Sequence, residues 1–324
     1  MKVFVTGGAG YIGSVTARRL LDAGHSVVVF DNLERGHRAA VDPRASLVVG
    51  DLRNAAAIRD ALAAARPDAV VHFAAFAYVG ESMENPGLYF ANNVGGGINL
   101  AEAMRLAGVK KLVFSSTCAT YGHPERVPME ETLPQRPINP YGESKLQCES
   151  VFRWYERLLG LQPVFLRYFN ACGAGALFGE DHRPETHLIP LVLDVALGRR
   201  PQVTIFGEDY ATPDGTCIRD YIHVLDLAQA HVLALEKSVS GPFNLGNGDG
   251  YSVREVIAAA REVTGRAIPA VAAPRRPGDP DRLVAASALA RSVLGWKPEF
   301  TDLRDILRSA WTWQCQHPQG YGET

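Results

Sequence analysis

Short apolar runs rich in β-branched residues recur along the first half of the chain, and helix-length segments separate them. Runs that are apolar at consecutive positions are typical of strands buried on both faces of a parallel sheet. With right-handed crossovers, this alternation predicts an α/β fold built on a doubly wound parallel sheet of Rossmann type. The predicted strands are 2–6, 26–30, 46–50, 69–73, 111–117 and 163–168, and the predicted helices include 55–65 and 99–107.

Beyond about residue 170 glycine and proline become frequent, and long loops are predicted at 173–185 and 273–282. This change predicts a first domain at 1–170 and a smaller, loop-rich α/β C-terminal domain at 171–324. Parts near 218–246 are expected to pack back on the first domain. The predicted elements of the second half are helices 188–197, 226–237, 253–264 and 302–315, and strands 202–206 and 243–246.

Composition narrows the ligand class. The 324 residues include 47% hydrophobic and 21% charged residues, which argues against disorder. A net charge of -2 provides no basic field for nucleic acid or an anionic membrane, so a small-molecule ligand is expected. No apolar stretch is long enough to span a bilayer.

Cysteine and histidine usage adds two expectations. The five cysteines contain no Cys-x-x-Cys pair, and the chain starts directly with a predicted strand, so reduced thiols and a cytoplasmic location are expected. The nine histidines contain no His-Glu-x-x-His motif and no His/Cys cluster, so no metal site is expected.

Gly7, Gly10 and Gly13 form a Gly-x-x-Gly-x-x-Gly loop between the first predicted strand and helix. Such glycines permit a tight turn, close approach of a pyrophosphate and close helix packing. Asp31 ends the second strand, 18 residues after Gly13, where an acid hydrogen-bonds the ribose hydroxyls of the cofactor. Its charge favours NAD over NADP. The basic residues that follow are interpreted as a solvated loop: Arg35, His37 and Arg38.

Tyr141 and Lys145 stand at positions i and i+4 of a predicted helix, so they share a face. If Asn139 caps this helix and Pro140 takes its first position, Tyr141 lies in the first turn, where the helix dipole stabilises a developing anion. Thr117 ends the fifth strand and is expected beside Tyr141. Together these three residues predict a proton-transfer site.

The chain resembles the extended short-chain dehydrogenase/reductase family and, within it, the UDP-glucose 4-epimerase (UDP-galactose 4-epimerase) group. The similarity covers nearly the whole chain. Its motifs include Val-Thr-Gly-Gly-Ala-Gly-Tyr-Ile-Gly-Ser from position 5, Pro-Tyr-Gly-Glu-Ser-Lys from 140, Leu-Arg-Tyr-Phe-Asn from 166, Arg-Asp-Tyr-Ile-His-Val from 219 and Ala-Pro-Arg-Arg-Pro-Gly-Asp from 273.

The resemblance implies roles for individual residues. Tyr141 would be the base, Lys145 would bind the nicotinamide ribose and lower the pKa of the phenol, and Thr117 would complete the relay. The other implied NAD contacts are Gly7, Gly10, Tyr11, Ile12, Gly13, Asp31, Asn32, Asp51, Leu52, Phe73, Ala74, Asn92 and Phe169. The implied UDP-sugar contacts, besides Thr117, are Arg219 and Arg276 on the diphosphate, Asp279 on the uridine ribose, and Asn170, His187, Leu188 and Leu283.

The implied reaction has no net redox change. Tyr141 removes the proton of the sugar 4-hydroxyl while hydride passes from C4 to NAD, the 4-keto sugar turns over, and the hydride returns to its other face. The protein would act as a homodimer through 88–107 and 141–159.

Several alternatives stay open. Leu283 stands where a bulky tyrosine marks strict UDP-glucose enzymes and a small residue marks those that accept N-acetylhexosamines. The 4-epimerases of UDP-N-acetylglucosamine, UDP-glucuronate and UDP-xylose therefore remain candidates. A nucleotide-sugar dehydratase is disfavoured because Thr117 is followed by Cys118-Ala119 rather than a carboxylate, and a non-catalytic NAD-sensing protein is disfavoured because Tyr141 and Lys145 are both present.

Overall fold

The computed structural model describes residues 1–276 and 279–322. Residues 277 and 278 of the motif at 273–279, and the last two residues of the predicted second domain, lie outside the described residues. The strands in chain order are β1 (Lys2–Thr6), β2 (Ser26–Asp31), β3 (Ser46–Val49), β4 (Ala69–His72), β5 (Lys111–Thr117), β6 (Gln162–Tyr168), β7 (Asn170–Cys172), β8 (Val203–Phe206), β9 (Ile218–Arg219), β10 (Tyr221–His223), β11 (Gly241–Leu245), β12 (Tyr251–Ser252), β13 (Ala270–Ala273) and β14 (Arg282–Leu283).

The helices alternate with these strands through the first half of the chain and are interspersed with short irregular turns in the second. They are α1 (Tyr11–Asp22), α2 (Ala55–Ala65), α3 (Val79–Glu84), α4 (Pro86–Tyr89), α5 (Gly96–Ala107), α6 (Pro140–Leu159), α7 (Leu188–Ala196), α8 (Val224–Glu236), α9 (Val253–Thr264) and α10 (Leu303–Gln316). Within the described residues, no helix has the length and apolar character that a bilayer span requires.

The central sheet has seven strands in the order β11-β6-β5-β4-β1-β2-β3, and its strand pairs are parallel. The strand order reverses between β1 and β4, which creates a crevice at the carboxyl ends of these strands. Parallel strands need helical crossovers, and the helices cover both faces. The prediction of a doubly wound α/β fold is confirmed.

Two buried clusters hold the helices to the sheet. On one face Val3, Val5 and Val29 pack with α1 and α8, and on the other Phe4, Phe114 and Phe152 pack with α2, α5 and α6. Successive side chains of a strand point to opposite faces, so the alternation of Val3, Phe4 and Val5 supplies both clusters. The sheet edge that carries the site is therefore fixed from both sides.

The helices and strands of the second half of the chain belong to two different parts of the fold. Strand β11 pairs with β6, and α8 packs on α1, so both belong to the central layer structure. Helices α7, α9 and α10 share a separate buried cluster with the small sheets β12-β9-β14 and β13-β8. The capping-box residues Ser252 and Glu255 fix the start of α9.

Candidate active site

A single cavity of about 1310 Å³ lies at the carboxyl ends of the central strands and extends to the second-half elements. The site residues predicted from the sequence come from positions as far apart as 7 and 283, and all of them line it. They are Gly7, Gly10, Tyr11, Ile12, Gly13, Asp31, Asn32, Asp51, Leu52, Phe73, Ala74, Asn92, Thr117, Tyr141, Lys145, Phe169, Asn170, His187, Leu188, Arg219, Arg276, Asp279 and Leu283.

The glycine loop leaves no room for side chains. Gly7 has φ +72°, and a Cβ on it would lie 2.5 Å from the Ala74 amide nitrogen. A Cβ on Gly13 would lie 2.1 Å from the Gly7 carbonyl oxygen. The loop can therefore lie directly against the strand ends, and no side chain caps the first turn of α1. This uncapped helix start presents backbone N–H groups suited to a pyrophosphate.

Asp31 lies at the end of β2 and is buried. Its carboxylate accepts hydrogen bonds from the Ala9 amide at 3.0 Å and the Leu33 amide at 2.9 Å. Burial raises the pKa of this carboxyl group, and these two hydrogen bonds oppose the rise. The glycine cradle and an acid at the second strand end fit the pyrophosphate and adenosine ribose of a dinucleotide.

Asp51 and Asn32 form the outer wall of the same half of the cavity. The Asn32 amide donates to Asp51 at 3.0 Å, and Arg53 lies against the same carboxylate. The Arg53 guanidinium lowers the pKa of Asp51 to about 2. Asn92 projects from a π-helical turn at Phe90–Gly95 that runs directly into α5. The helical segment therefore begins earlier than the predicted helix 99–107.

The interpretation of Arg35 and His37 as solvated loop residues is wrong. Arg35 lies 2.7 Å from the Glu81 carboxylate and 5.1 Å from the centre of the Tyr78 ring. His37 contacts the Asp181 carbonyl oxygen at 2.9 Å. Both are partly buried because the 179–185 segment and α3 pack over the loop, whereas Arg38 is exposed as expected.

Tyr141 sits in the first turn of α6, as the capping pattern predicts. The Asn139 side chain accepts a hydrogen bond from the Gly142 amide at 2.8 Å, and Pro140 occupies the first helical position. Burial raises the pKa of the Tyr141 phenol to about 12, and a hydrogen bond with Thr117 opposes this rise. Thr117 accepts from the Ala119 amide at 3.1 Å, and its own O–H is the donor in the hydrogen bond with Tyr141.

Lys145 is buried one turn after Tyr141. Its ammonium donates to the Ser115 carbonyl oxygen at 2.8 Å and lies 4.8 Å from the centre of the Phe114 ring. Burial lowers the pKa of Lys145 to about 8. In this arrangement the ammonium is anchored to β5, and the Tyr141 phenol keeps its proton in neutral solution.

The opposite end of the cavity carries the arginines. Arg219 lies at the end of β9, with its guanidinium 3.4 Å from the Asp279 carboxylate. The Arg276 guanidinium stacks 3.9 Å from the centre of the Phe206 ring. The two cations therefore face the cavity from β9 and from the segment after β13, together with one acid. Leu188 and Leu283 add apolar surface to the cavity wall.

The structure also brings His187, an implied UDP-sugar contact, together with three side chains that the sequence motifs did not single out: Glu180, His182 and Glu185. Burial opposes ionisation of Glu180, but the charges of His187 and His182 lower the pKa of its carboxyl group to about 2. Burial likewise opposes protonation of His187, but Glu180 raises its pKa to about 10. His187 thus contacts two carboxylates as well as lining the cavity.

Further lining residues had no assigned role in the sequence prediction. Tyr168 is buried beside Tyr141, and its hydroxyl forms a short hydrogen bond with Ser115. Tyr78 and Phe206 contribute ring faces. Phe206 could have been found from the sequence, because it ends a predicted strand and is followed by a glycine. No local sequence pattern distinguishes Tyr78.

Comparison with known proteins agrees with this geometry. The model of the NAD dependent epimerase/dehydratase family matches residues 3–246. The UDP-glucose 4-epimerase of Lacticaseibacillus casei is 52% identical over 329 residues, covering 100% of this chain and 99% of that protein.

Two solved structures extend the comparison. The UDP-glucose 4-epimerase of Brucella ovis in complex with NAD is 48% identical with a TM-score of 0.93, covering 96% of this chain and 97% of that one. The UDP-glucose 4-epimerase of Bifidobacterium longum in complex with NAD+ and UDP is 39% identical with a TM-score of 0.94, covering 99% and 100%.

The fold and the cavity define a dinucleotide-dependent enzyme whose cavity contains Tyr141 and Lys145 one helical turn apart. The chain belongs to the NAD dependent epimerase/dehydratase family. Its cofactor is NAD, which the glycine loop and Asp31 fit. Relatives similar over the full length are UDP-glucose 4-epimerases.

Proposed function

We propose that the protein interconverts UDP-glucose and UDP-galactose by inverting C4 of the hexose, with NAD held in the cavity throughout. The observation that carries this proposal is the single cavity that joins the glycine loop, the Thr117–Tyr141–Lys145 group and the Arg219–Arg276–Asp279 group. A nucleotide-sugar epimerase needs all three: a cofactor cradle, a proton-transfer site and a diphosphate anchor.

The side chains divide the work. Bound NAD supplies the acceptor and donor of the hydride. Tyr141 takes the proton of the sugar 4-hydroxyl and later returns it, while Thr117, whose hydroxyl bonds Tyr141, contacts the same sugar hydroxyl and completes the relay. Because burial raises the pKa of Tyr141 to about 12, a positive charge close to the phenol is needed before it can act as a base. Lys145 binds the nicotinamide ribose, and its ammonium one turn after Tyr141 supplies part of that positive charge.

The anchors lie away from the proton-transfer site. Arg219 and Arg276 bind the two phosphates of UDP through their planar guanidinium groups, and Asp279 accepts from the ribose hydroxyls. Leu188, Leu283 and Phe169 also line the cavity and offer the hexose apolar contacts. The 4-keto sugar must rotate in the cavity while UDP stays in place. This rotation requires a firmly bound UDP and a loosely bound sugar.

A 4-epimerase of another UDP-sugar is the second candidate, and Leu283 is the observation that favours it. This side chain is partly buried at the cavity wall and is smaller than tyrosine. UDP-N-acetylglucosamine carries a larger substituent at C2 than UDP-glucose does. We therefore propose it as the alternative substrate to compare first.

We further propose the division of labour between the two halves of the chain. Residues 1–170 form the NAD-binding domain, with help from the returning segment near 218–246, and the rest of 171–324 binds the UDP-sugar. We infer a cytoplasmic location from the five cysteines, which are free thiols.

We also propose a homodimer through α5 and α6. Apolar side chains on these two helices remain exposed, and those of Ile98, Leu106, Trp154 and Leu158 are 41%, 60%, 56% and 72% accessible. Light scattering coupled to size exclusion is expected to give twice the chain mass of 35.1 kDa. A monomer mass across the accessible concentration range contradicts this assembly.

The activity test is incubation of the purified protein with UDP-galactose without added NAD, followed by chromatographic separation of the two UDP-hexoses. Conversion to an equilibrium mixture supports the proposal. Absence of conversion with NAD supplied contradicts it and directs the search to UDP-N-acetylglucosamine, UDP-glucuronate and UDP-xylose.

A further inference from the structure

Glu180, His182, Glu185 and His187 alternate along the segment between β7 and α7, and each offers one ligand atom toward a common point. These four atoms all lie within 4.8 Å of one another. They comprise two imidazole Nδ1 atoms and two carboxylate oxygens. Mixed imidazole and carboxylate donors are the set that zinc binds in proteins.

The nitrogen–oxygen distances in this cluster are compatible with a shared metal ion. The His187 Nδ1 lies 2.9 Å from a carboxylate oxygen of Glu180 and 2.9 Å from one of Glu185. The His182 Nδ1 lies 3.1 Å from the same Glu180 oxygen and 3.8 Å from the second carboxylate oxygen of Glu185. Zinc bonds of about 2.0–2.1 Å place tetrahedral ligands about 3.3–3.4 Å apart, in the middle of this range.

Hydrogen bonds alone do not satisfy the cluster. The His182 Nδ1 is buried and has no hydrogen-bond partner among the described residues, although Glu180 lies beside it. The His187 Nδ1 carries at most one proton but faces two carboxylates at equal distance. Each Nδ1 has an in-plane lone pair when unprotonated, and a metal ion uses that lone pair directly.

The charge of the cluster also favours a bound cation. The side chains of Glu180 and Glu185 are only 7% and 12% exposed, so two carboxylates share a space with little water. With neutral imidazoles the cluster carries two negative charges. One divalent cation balances them and leaves both histidines neutral, as metal coordination requires.

We propose that Glu180, His182, Glu185 and His187 form a binding site for one divalent transition metal ion of the zinc class. The ion has a structural role at the rim of the cavity. Its ligands come from the segment that contacts Tyr11 of the glycine loop through the His182 ring, at a centroid distance of 6.1 Å. The same segment leads directly into Leu188 of the sugar end.

A metal ion bound here therefore fixes the position of segment 180–187, which forms the cavity wall next to both the cofactor and the substrate. Asp181, between the first two ligands, accepts from the Tyr321 amide at 3.0 Å, so the segment is also held from outside. This inference does not depend on the proposed epimerase activity, because metal content is measured without turnover.

The test uses the full-length protein, freed of any affinity tag and of metal, then dialysed against zinc and against cobalt in parallel. We expect about one equivalent of zinc per chain and the visible absorption bands of tetrahedral Co²⁺. The variants are His182→Asn, which removes one imidazole ligand, and Glu185→Gln, which keeps the side-chain size and removes one carboxylate ligand. Mutation of a residue that only orients a metal ligand typically lowers metal affinity about 10–100-fold. Loss of a ligand itself is therefore expected to weaken zinc binding by at least about 100-fold.

The matched control is His123→Asn, which changes an exposed histidine outside the cluster and is expected to retain the metal. Circular dichroism of each variant checks folding, so a misfolded His182→Asn leaves Glu185→Gln as the deciding protein. Wild type without bound zinc or cobalt bands overturns the proposal. Equal metal content in wild type and both folded variants overturns it as well.

Discussion

The Arg167 guanidinium lies 2.6 Å from the Glu149 carboxylate, and both side chains are fully buried. Arg167 comes from β6, and Glu149 from the middle of α6, two turns beyond Tyr141. Ser116 and Tyr121 complete the arrangement, since the Ser116 hydroxyl donates to Glu149 at 2.6 Å and Arg167 donates to the Tyr121 hydroxyl at 2.9 Å. This network fixes the rotation of α6, and with it the direction of Tyr141 and Lys145.

Replacing Arg167 with methionine is expected to lower the free energy of unfolding by about 3–5 kcal/mol, because the buried Glu149 carboxylate then keeps only the Ser116 hydroxyl and the Arg153 guanidinium at 3.8 Å as partners. Equilibrium urea unfolding measures this loss. Arg126→Met is the control, since Arg126 pairs with Glu130 on the exposed surface and its loss is expected to change little. Equal effects of the two substitutions contradict the role of the buried network.

Tyr141→Phe is expected to reduce the epimerisation rate by at least about 1,000-fold, since it removes the proton-transferring hydroxyl while keeping the ring. NAD binding, followed by fluorescence titration, is expected to stay close to wild type. Tyr155→Phe in the same helix is the matched control, because the Tyr155 hydroxyl contacts Glu102 outside the cavity. A Tyr141→Phe protein with a near-normal rate contradicts the assigned base.

Gly13→Ala is expected to abolish NAD binding and to destabilise the fold, because the added Cβ would lie 2.1 Å from the Gly7 carbonyl oxygen and must push α1 away from the loop. Gly87→Ala in α4 meets no atom within 4 Å and is expected to be neutral. Calorimetric titration with NAD and thermal unfolding test both proteins. Wild-type affinity in Gly13→Ala shows that the loop does not form the cradle.

Arg219→Lys keeps the charge but loses the planar fork, so KM for UDP-galactose is expected to rise about tenfold with a smaller effect on kcat. Arg254→Lys, which changes an arginine on the exposed face of α9, is the matched control. A fall in kcat with unchanged KM indicates that Arg219 acts at the sugar rather than at the diphosphate.

Acid sensitivity is expected from buried His231. Burial lowers its folded-state pKa to about 4, whereas a histidine in the unfolded chain has a pKa of about 6.5. Between these values the unfolded chain binds a proton that the folded protein does not, so stability falls as the solution is acidified from pH 6.5 towards 4. This group alone accounts for about 2 kcal/mol at pH 5.

Urea unfolding at pH 7 and pH 5 measures that loss. His231→Gln is expected to lose less stability between the two pH values than wild type does, while His123→Gln on the surface is expected to follow wild type. A pH dependence that is identical in His231→Gln and wild type contradicts the assignment.

The fold could be predicted because its signals are local. The strand 111–117 matches β5, the alanine-rich segment 55–65 matches α2, and Asn139-Pro140 starts α6, since β-branched runs, helix formers and caps act within a few residues. The glycine loop, Asp31 and the Tyr141–Lys145 pair have the same advantage: fixed spacing on adjacent elements.

The pairings that depend on tertiary structure could not be predicted. Arg35 pairs with Glu81, 46 residues away, and Arg167 is buried although arginine is usually exposed, because Glu149 meets it from another element. The cluster at 180–187 is local in sequence, but its spacing matches no helical metal motif. An irregular segment brings its four side chains to one point, and periodicity carries no information about such a path.

The pairing of β11 with β6 has a consequence for the newly made chain. Until residues 241–245 have been synthesised, β6 ends the sheet with a row of unpaired backbone groups. The strand has the sequence Gln-Pro-Val-Phe-Leu-Arg-Tyr, and the apolar run at its centre, 164–166, favours pairing of this open edge with other strands. A fragment that ends near residue 170 therefore contains the glycine loop and Tyr141 but leaves the β6 edge unpaired. About 75 more residues must be synthesised before β11 can pair with this edge.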